Sequence, residues 1–411
     1  MKILYLVHQF YPEYYTGTEK FVYTLADMMQ KIGNKVKVIT YSFYEESFYD
    51  RMIGNILLKE FVYKGVPVIA LRHRNIPEDV HLALKNDELY KIAIEVIIDE
   101  KPDIIHAGHL MRVTEFINAA RILNIPYIIT ITDSFLICPK IILQASIGNL
   151  CAGPRGGNVC LVLCPEIPSP FILQRLNITN NILTNAALVV SPSIFLASIF
   201  KKEHKNIDVK TINHGISYSK IKRNQNVYDH RSNLKFCYAG SLNSHKGVHV
   251  LLDAFMRVES DNASLRIYGS GTDEIYVKTL KDMAKGDKRI EFCGIFSEEQ
   301  VGDIFSQIDV VVVPSICYET YSLVMHESLA CNVPVIVSNV GGTAEKVTNG
   351  LNGYTFRIGD SNHLKEVIEQ VVNDPDKINQ LKTNLKNSMI QAVEQEAYAY
   401  EKEYTKIYIN R

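Results

Sequence analysis

The stretch from Asp309 to Ile336, DVVVVPSICYETYSLVMHESLACNVPVI, decides the fold class of this chain. Its four consecutive valines predict a short strand covered on both faces, because a strand with one wet face would alternate apolar and polar residues. A loop carrying Glu319 follows, and a helix that bears Glu327 is predicted to begin near Ser322. A second apolar run closes the stretch, so we predict strand, helix and parallel strand, the unit of an α/β fold.

Short runs rich in Val and Ile alternate with longer segments of helical period along the rest of the chain. This alternation is typical of parallel sheets whose strands are joined by helices. We therefore predict strands in both halves. In the first half they cover residues 3–7, 35–40, 103–106, 127–130 and 187–190, and in the second half residues 235–239, 264–268, 290–293, 309–313 and 334–337.

The length of 411 residues predicts two domains, because a single core rarely organises so long a chain. The stretch 216–233, ISYSKIKRNQNVYDHRSN, is polar, basic and without periodicity, and we interpret it as the linker. The predicted division is an N-terminal domain over 1–215, a C-terminal domain over 216–395 and a last helix over 396–411. Aromatic residues on one side of that helix can pack on either domain, the N-terminal one included.

The charge balance argues against nucleic acid as a partner, and the hydropathy argues against a signal peptide or a membrane-spanning helix. With 44 basic and 45 acidic residues, the chain has no electrostatic reason to bind nucleic acid. The first residues, MKILYLVHQFYP, contain too short an apolar run for a signal peptide, so we expect a cytoplasmic protein. No stretch approaches the roughly 20 apolar residues of a membrane-spanning helix, so we expect any membrane association to be peripheral.

The start of the helix after Glu319 is suited to an anion. Its first backbone amides have no partner within the helix, and such a turn favours a diphosphate. They belong to Tyr321, Ser322, Leu323 and Val324. The loop carboxylate of Glu319 suits sugar hydroxyls, and the carboxylate of Glu327 suits the two hydroxyls of a ribose. The alternative is that both are solvated glutamates on an ordinary strand-loop-helix unit.

Three polar side chains in the first half follow predicted strands, where open parallel sheets place their ligands. His106 and His109 lie in DIIHAGHL, and Asp133 lies in TITDSF. Gly17, in TGTE, lies in the loop after the first strand, where the missing side chain lets the backbone approach a phosphate closely. The alternatives are structural histidines and an ordinary turn glycine.

The pair Glu319 and Glu327, followed by SLACNVPVI and GGTAEKVTNGLNG, is similar to the corresponding region of the family 4 glycosyltransferases, which have the GT-B fold. Other matching segments are YYTGTEKFVYTLA, PDIIHAGHL, VVSPSIFLASIF, NHGI, YAGSLNSHKGVHVLLDAF and LRIYGSGTDE, so the resemblance covers nearly the whole chain. It implies an α/β protein with two Rossmann-like domains facing across a cleft. It also implies transfer of a sugar from a nucleotide diphosphate, with retention of configuration and without a catalytic cofactor.

The resemblance assigns roles to particular residues. It implies that Lys246 contacts the departing diphosphate, that Glu319 contacts the donor sugar and that Glu327 contacts the ribose. The implied catalytic residues are Glu319, Lys246, His109 and His106, with His109 and Asp133 on the acceptor side. The implied donor-binding residues are Gly17, Ser241, Lys246, Gly269, Gly271, Ile295, Glu319, Tyr321, Ser322, Leu323, Val324 and Glu327. Ser241 stands where the family often has an arginine, so the phosphates have one cation fewer.

Half of the eight cysteines cluster in residues 138–165, CPKIILQASIGNLCAGPRGGNVCLVLCP. The clustered residues are Cys138, Cys151, Cys160 and Cys164. The segment is irregular and rich in Gly and Pro, so it has little core of its own. Two interpretations stay open: a structural zinc ion held by four thiolates, or four buried reduced thiols.

Three rival functions differ in the sequence features that they require. A dehydrogenase is disfavoured because no Gly-x-Gly-x-x-Gly follows the first strand. A catalytically silent carbohydrate-binding relative is disfavoured because Lys246, Glu319 and Glu327 are all present. A sugar-nucleotide epimerase of the same architecture stays open, and would not need an acceptor to release nucleotide diphosphate. The expected acceptor is a glycan or a lipid-linked glycan of cell-surface polysaccharide biosynthesis, by family analogy.

Overall fold

Two units divide the chain in the computed structural model, which describes residues 1–410. Unit 1 comprises Met1–His214 together with the C-terminal segment from Val393, and unit 2 comprises Gly215–Ala392. The chain therefore leaves unit 1, builds unit 2 and returns. Each unit contains one sheet with helices.

A nine-stranded sheet forms the centre of unit 1 within the described residues. Its strands are β1 (Lys2–Val7), β2 (Lys35–Tyr41), β3 (Arg51–Ile53), β4 (Ile56–Tyr63), β5 (Val66–His73), β6 (Ile104–Ala107), β7 (Tyr127–Thr130), β8 (Leu188–Ser191) and β9 (Val209–Thr211). They lie in the order β3-β4-β5-β2-β1-β6-β7-β8-β9, and only the β3–β4 and β4–β5 pairs are antiparallel. The order reverses between β1 and β6, which is where a parallel sheet opens a crevice for a ligand.

Helices cover this sheet. In unit 1 they are α1 (Gly17–Lys31), α2 (Asp87–Glu100), α3 (Glu115–Ile122), α4 (Asn158–Leu163), α5 (Ser169–Thr184) and α6 (Ile194–Glu203). The first of them starts at a capping box, in which the backbone amide of Thr16 donates to Glu19 Oε2 at 2.7 Å. The capping box fixes where α1, the first helix after β1, begins.

A six-stranded, wholly parallel sheet forms the centre of unit 2. Its strands are β10 (Leu234–Ala239), β11 (Ala263–Tyr268), β12 (Ile290–Gly294), β13 (Val310–Val313), β14 (Val335–Ser338) and β15 (Gly353–Phe356). Its helices are α7 (Val248–Met256), α8 (Glu274–Met283), α9 (Val301–Phe305), α10 (Leu323–Ala330), α11 (Gly341–Ala344), α12 (Ser361–Val372) and α13 (Pro375–Lys386). The order β12-β11-β10-β13-β14-β15 is that of a Rossmann sheet, with its reversal between β10 and β13.

Every strand predicted from the alternation is present, with ends that differ by a residue or so. The prediction of two Rossmann-like sheets is therefore confirmed. Five strands were not predicted: β3, β4, β5, β9 and β15. Three of these form the antiparallel edge of the first sheet, and the turn Lys64-Gly65 between two largely apolar runs was the signal for its hairpin.

The last helix, α14 (Val393–Ile409), packs against α1 and completes the core of unit 1. Tyr400 and Tyr404 are fully buried, and the Tyr404 hydroxyl lies 2.5 Å from His106 Nδ1. The other ring nitrogen, His106 Nε2, lies 2.7 Å from the Thr130 hydroxyl. His106 is 0% exposed, so the predicted catalytic role of His106 is wrong in this structure: the side chain points from β6 into the core, where both nitrogens are satisfied.

The core position of His106 predicts a pH dependence of stability. Burial lowers its pKa to about 3, from an ordinary value near 6.5. Below pH 6.5 the unfolded chain takes up a proton that the folded one refuses, so stability is lost as the pH falls from 6.5 toward 3. We expect the burial of His106 to lower the free energy of unfolding by about 2 kcal/mol as the pH falls from 6.5 to 5.

Urea unfolding of wild type and of His106→Gln at several pH values checks this expectation. The variant lowers the absolute stability, but its loss between pH 6.5 and pH 5 should be smaller than that of wild type. Equal losses in the two proteins would contradict it.

Among residues 1–410 we find no helix with the length and apolar character that crossing a membrane requires.

Candidate active site

Lys246 and Glu319 meet at the reversal point of the sheet in unit 2. Lys246 follows β10, Glu319 follows β13, and the ammonium lies 2.7 Å from Glu319 Oε1. The Ser315 hydroxyl donates to the same oxygen at 2.5 Å. Burial alone would raise the pKa of Glu319, but the charge and hydrogen bond of Lys246 outweigh it and hold the pKa below its ordinary value. Both groups are therefore charged at neutral pH, and both stay partly exposed, 28% for Lys246 and 14% for Glu319.

The loop that carries Lys246 is held against the end of β13. Gly247 has φ +70°, and a Cβ there would lie 2.0 Å from the Pro314 carbonyl oxygen. The Ile316 amide also donates to the His245 carbonyl at 2.9 Å. Only glycine allows this close approach, so the sequence His-Lys-Gly places the lysine next to the glutamate loop.

Two glycines after β14, Gly341 and Gly342, hold the backbone of Glu319 itself. Gly341 has φ +73°, and a Cβ there would lie 2.5 Å from the backbone oxygen of Glu319 and 2.8 Å from its nitrogen. The Gly342 amide donates to the Glu319 carbonyl at 2.6 Å. The GGTAE segment therefore fixes the backbone of the loop from which Glu319 projects.

The helix that carries Glu327 begins where the sequence predicted. Ser322 is its N-cap, and its hydroxyl accepts from the Met325 amide at 3.3 Å. Tyr321 stacks on His326 with ring centroids 4.1 Å apart, which orders the entrance to the helix. Glu327 is the fifth of the eight residues of α10 and is 7% exposed. The amides of Leu323 and Val324 lie in the first turn, before the intrahelical hydrogen bonds begin.

The remaining predicted donor residues lie at the carboxyl ends of β10, β11 and β12. Ser241 is exposed after β10, and Ile295 is 65% exposed after β12. A Cβ on Gly269 would lie 1.9 Å from the Gly240 oxygen, and one on Gly271 would lie 2.3 Å from the Leu242 oxygen. These glycines let the loop after β11 pack directly against the loop after β10, which is the loop that carries Lys246.

In unit 1, His109 and Asp133 form a pair after β6 and β7. His109 Nε2 lies 2.8 Å from Asp133 Oδ2, and the Met111 amide donates to His109 Nδ1 at 3.2 Å. The proton of His109 is therefore on Nε2 and directed at the carboxylate. The side chain of His109 is 3% exposed and that of Asp133 is 28% exposed. Asp133 is consequently the member of the pair that a ligand can reach, and His109 orients it.

Three further residues, which were not predicted, adjoin this pair through His8. They are His8, Glu19 and Arg112. His8 follows β1, its ring centroid lies 4.0 Å from that of His109, and its Nε2 lies 3.6 Å from Glu19 Oε1. Arg112 donates to the His8 carbonyl at 2.8 Å. Buried atoms without a hydrogen-bond partner in the described structure include His8 Nδ1, Glu19 Oε1 and Arg112 Nε. Sequence reasoning did not predict the contact of Glu19 with His8, because the position of Glu19 indicates only a helix cap.

Gly17 is the first residue of α1 and is exposed. It therefore lies at the amino end of a helix that starts beside the reversal point of the first sheet. The structure thus brings together Lys246 with Glu319, and His109 with Asp133, each pair at the reversal point of its own sheet or beside it.

The four clustered cysteines line one cavity of about 10 Å³ in unit 1. Burial and then the neighbouring cysteines raise the pKa of Cys160 to about 12, so this group is a neutral thiol. Among residues 1–410, however, no three His, Cys, Asp or Glu side chains are placed to hold a metal ion. Zinc binding would require the four sulfur atoms to move together, and zinc stays a prediction.

Metal analysis decides between the two interpretations of this cluster. If zinc is present, protein purified without chelator contains about one zinc per chain, and EDTA lowers the melting temperature because metal binding contributes to folding. A zinc content far below one per chain, with no effect of EDTA, would leave four reduced thiols.

Two family models match the chain, one on each part. The model described as Glycosyltransferase Family 4 matches residues 15–220, half of the chain, and the model described as Glycosyl transferases group 1 matches residues 220–388. An uncharacterized glycosyltransferase of Methanocaldococcus jannaschii is 24% identical over 389 residues, which are 91% of this chain and 90% of that protein. The lipopolysaccharide 1,2-N-acetylglucosaminetransferase of Salmonella typhimurium is 28% identical over 208 residues, 46% of this chain and 52% of that protein.

Solved structures show the same fold. The Anabaena protein HepE, in a complex with UDP and glucose, has a TM-score of 0.72 at 19% identity over 98% of this chain and 99% of that one. Sucrose-phosphate synthase of Thermosynechococcus elongatus has a TM-score of 0.71 at 18% identity over 100% of both chains. These likenesses confirm the predicted GT-B fold.

Proposed function

This chain belongs to glycosyltransferase family 4, and from that membership we propose that it transfers a sugar from a nucleotide diphosphate to an acceptor hydroxyl with retention of configuration. That the chain is a glycosyltransferase follows from the family. The nucleotide donor is supported by the fold's likeness to HepE, which was solved in a complex with UDP and glucose. Retention is carried over from the family, and no nucleophilic residue is assigned.

The single observation that carries the proposal is the pair Lys246 and Glu319 at the reversal point of the Rossmann sheet. A diphosphate leaving group gains negative charge as the glycosidic bond breaks, and a lysine held beside it stabilises that charge. Both contacts described for the Glu319 carboxylate are made to Oε1. We propose that Glu319 Oε2 accepts a hydrogen bond from a sugar hydroxyl, while the Lys246 ammonium donates its other hydrogen bonds to the phosphates.

The first turn of α10 supplies the second part of the donor site. Its amides suit the diphosphate, and Glu327 four residues after the first of them suits the two ribose hydroxyls. The burial of Glu327 favours strong hydrogen bonds, since water competes less there. In this proposal helix amides and one lysine neutralise the diphosphate, in place of a divalent cation.

Asp133 is proposed to accept a hydrogen bond from the acceptor or the donor sugar, with His109 holding it in place. The proposed acceptor is a glycan or a lipid-linked glycan of cell-surface polysaccharide biosynthesis, supported by the similarity to the Salmonella lipopolysaccharide transferase. The proposed location is the cytoplasm, peripherally at the inner face of the membrane.

Replacing His109 by Ala is expected to lower turnover by more than about tenfold, as is replacing Asp133 by Asn. Since the two act as one unit, the double variant should be little worse than the worse single variant. Steady-state rates of all three proteins, with nucleotide binding as a control for unit 2, measure this. If the fold-loss of turnover in the double variant equals the product of the two single fold-losses, the two residues act separately.

Incubation with a panel of nucleotide sugars, with and without candidate acceptors, tests the proposed function. Mass spectrometry should detect a glycosylated acceptor, and free nucleoside diphosphate should appear mainly when acceptor is present. Conversion of the sugar nucleotide without any acceptor would instead indicate an epimerase.

A further inference from the structure

Four large apolar side chains are exposed on the segment between β7 and α5, which includes α4, and on the first half of α5 itself. Ile147 is 76% exposed, Leu161 47%, Val162 76% and Leu173 52%. We call these four residues the apolar tip. In a soluble protein such side chains are ordinary when they are scattered, whereas a contiguous set marks a contact surface.

Contacts at the two ends of α4 bring the residues of the apolar tip together. The Ser146 amide donates to the Leu163 carbonyl at 3.0 Å, which places Ile147 beside the end of α4. At the other end of that helix, a Cβ on Gly157 would lie 3.1 Å from Leu173 Cδ2. Leu161 and Val162 lie on α4 between these two contacts.

The base of the apolar tip is anchored. Cys160, on the opposite side of α4, is buried and packs with Ile172 and Leu176 of α5 in a small cluster of its own. The exposed side chains therefore project from a supported helix. They are not the outer edge of the main core of unit 1, whose buried cluster contains none of them.

Positive charge flanks the apolar tip. Residues 138–205 contain six basic and two acidic residues, although the whole chain has a net charge of −1. The carboxylate of Glu203 accepts from the amides of Arg155 and Gly156 at 2.8 and 2.7 Å, which ties the end of α6 to the cysteine-rich loop. That end carries Lys201, Lys202 and Lys205, all exposed, and one of them, Lys201, also pairs with Asp208 at 3.2 Å. With Arg155 they form what we call the basic flank.

We propose that the apolar tip and the basic flank dock unit 1 on an anionic lipid bilayer. Apolar side chains beside a cluster of lysine and arginine match the two properties of such a surface, an acyl boundary covered by negative headgroups. The proposal rests on the proposed function, because a lipid-linked acceptor lies in a membrane, and it names the surface that would bring the enzyme there.

Sedimentation with lipid vesicles tests the proposal on the full chain. We expect wild type to bind vesicles of phosphatidylcholine mixed with phosphatidylglycerol more tightly than vesicles of phosphatidylcholine alone, and to lose binding as salt is added. The variant Ile147→Ser, Leu161→Ser, Val162→Ser should lose at least about tenfold in partition. The variant Lys202→Glu, Lys205→Glu should lose the preference for the anionic vesicles.

A matched control replaces two equally exposed apolar residues of unit 2, Val227 and Ile275, by Ser, since each is 81% exposed. This control should bind vesicles as wild type does. Thermal shift with nucleoside diphosphates should be the same for all these proteins, so a failure of the donor site would be seen separately. Wild type that ignores vesicles, or a tip variant that binds them unchanged, would overturn the proposal. So would a tip variant that changes only the oligomeric state by gel filtration, which would assign the surface to a protein partner.

Discussion

Lys246→Ala should lower kcat by about 10²- to 10³-fold, the loss typical of removing one group that stabilises charge developing in a transition state. The negative charge of the diphosphate grows as it leaves, so Lys246 interacts more strongly with the transition state than with the bound donor. We therefore expect the dissociation constant of nucleoside diphosphate to change by less than kcat. Steady-state rates beside titration calorimetry measure both quantities.

Lys220→Ala is the matched control for this experiment. Lys220 is also in unit 2, is 33% exposed and lies 2.6 Å from Glu298, so it loses a comparable ion pair. It lies in the segment before β10 and not at the reversal point of the sheet. Its variant should keep wild-type turnover. Equal losses in the two variants, or a kcat of Lys246→Ala within a factor of about three of wild type, would remove Lys246 from the site.

Gly341→Ala should lower turnover by about 10² or more, although it is only a methyl group added to a loop. The new Cβ would meet the Glu319 backbone at 2.5 and 2.8 Å, distances that nonbonded atoms do not tolerate, so the loop carrying Glu319 must move. A shift of about 1 Å in a catalytic group is enough for a loss of this size. Steady-state rates at saturating donor measure it.

Gly350→Ala separates this displacement from backbone strain. Gly350 has φ +77°, close to the +73° of Gly341, but no atom lies within 4 Å of a Cβ at that position. Both alanine variants carry the same cost of a left-handed residue, about 1 kcal/mol, and both melting temperatures should fall slightly. Only Gly341→Ala should lose activity. Full activity in Gly341→Ala would mean that the position of Glu319 is not critical for the reaction.

The sheets could be predicted because their strands are covered on both faces. VVVV in β13 and the apolar runs of β1 and β10 are recognisable without any knowledge of their neighbours. Strands β3 and β4 of the antiparallel edge are half exposed, and their weaker alternation did not distinguish them from loop. The start of α10 at Ser322 could be predicted because its cap is a local signal.

The contacts between distant residues could be predicted only in part. The ion pair of Lys246 with Glu319 was not foreseen, although both residues were, because spacing along the chain does not give the distance between two loops. His106 and His109 are three residues apart in the sequence, yet β6 directs the first into the core and the loop after it directs the second toward Asp133. A strand reverses side-chain direction at every residue, so the position of a histidine near a strand end does not decide its role.

Unit 2 is proposed to hold a nucleotide diphosphate with Glu327 on the ribose, and the proposed function depends on this binding. Titration calorimetry with uridine, guanosine and adenosine diphosphates, on wild type and on Glu327→Ala, tests it most directly. We expect wild type to bind one of the three, and Glu327→Ala to weaken that binding by about 1.5 to 3 kcal/mol, a loss in the range measured for hydrogen bonds to a charged group. Wild type that binds none of the three, or Glu327→Ala that binds as tightly as wild type, would contradict this assignment.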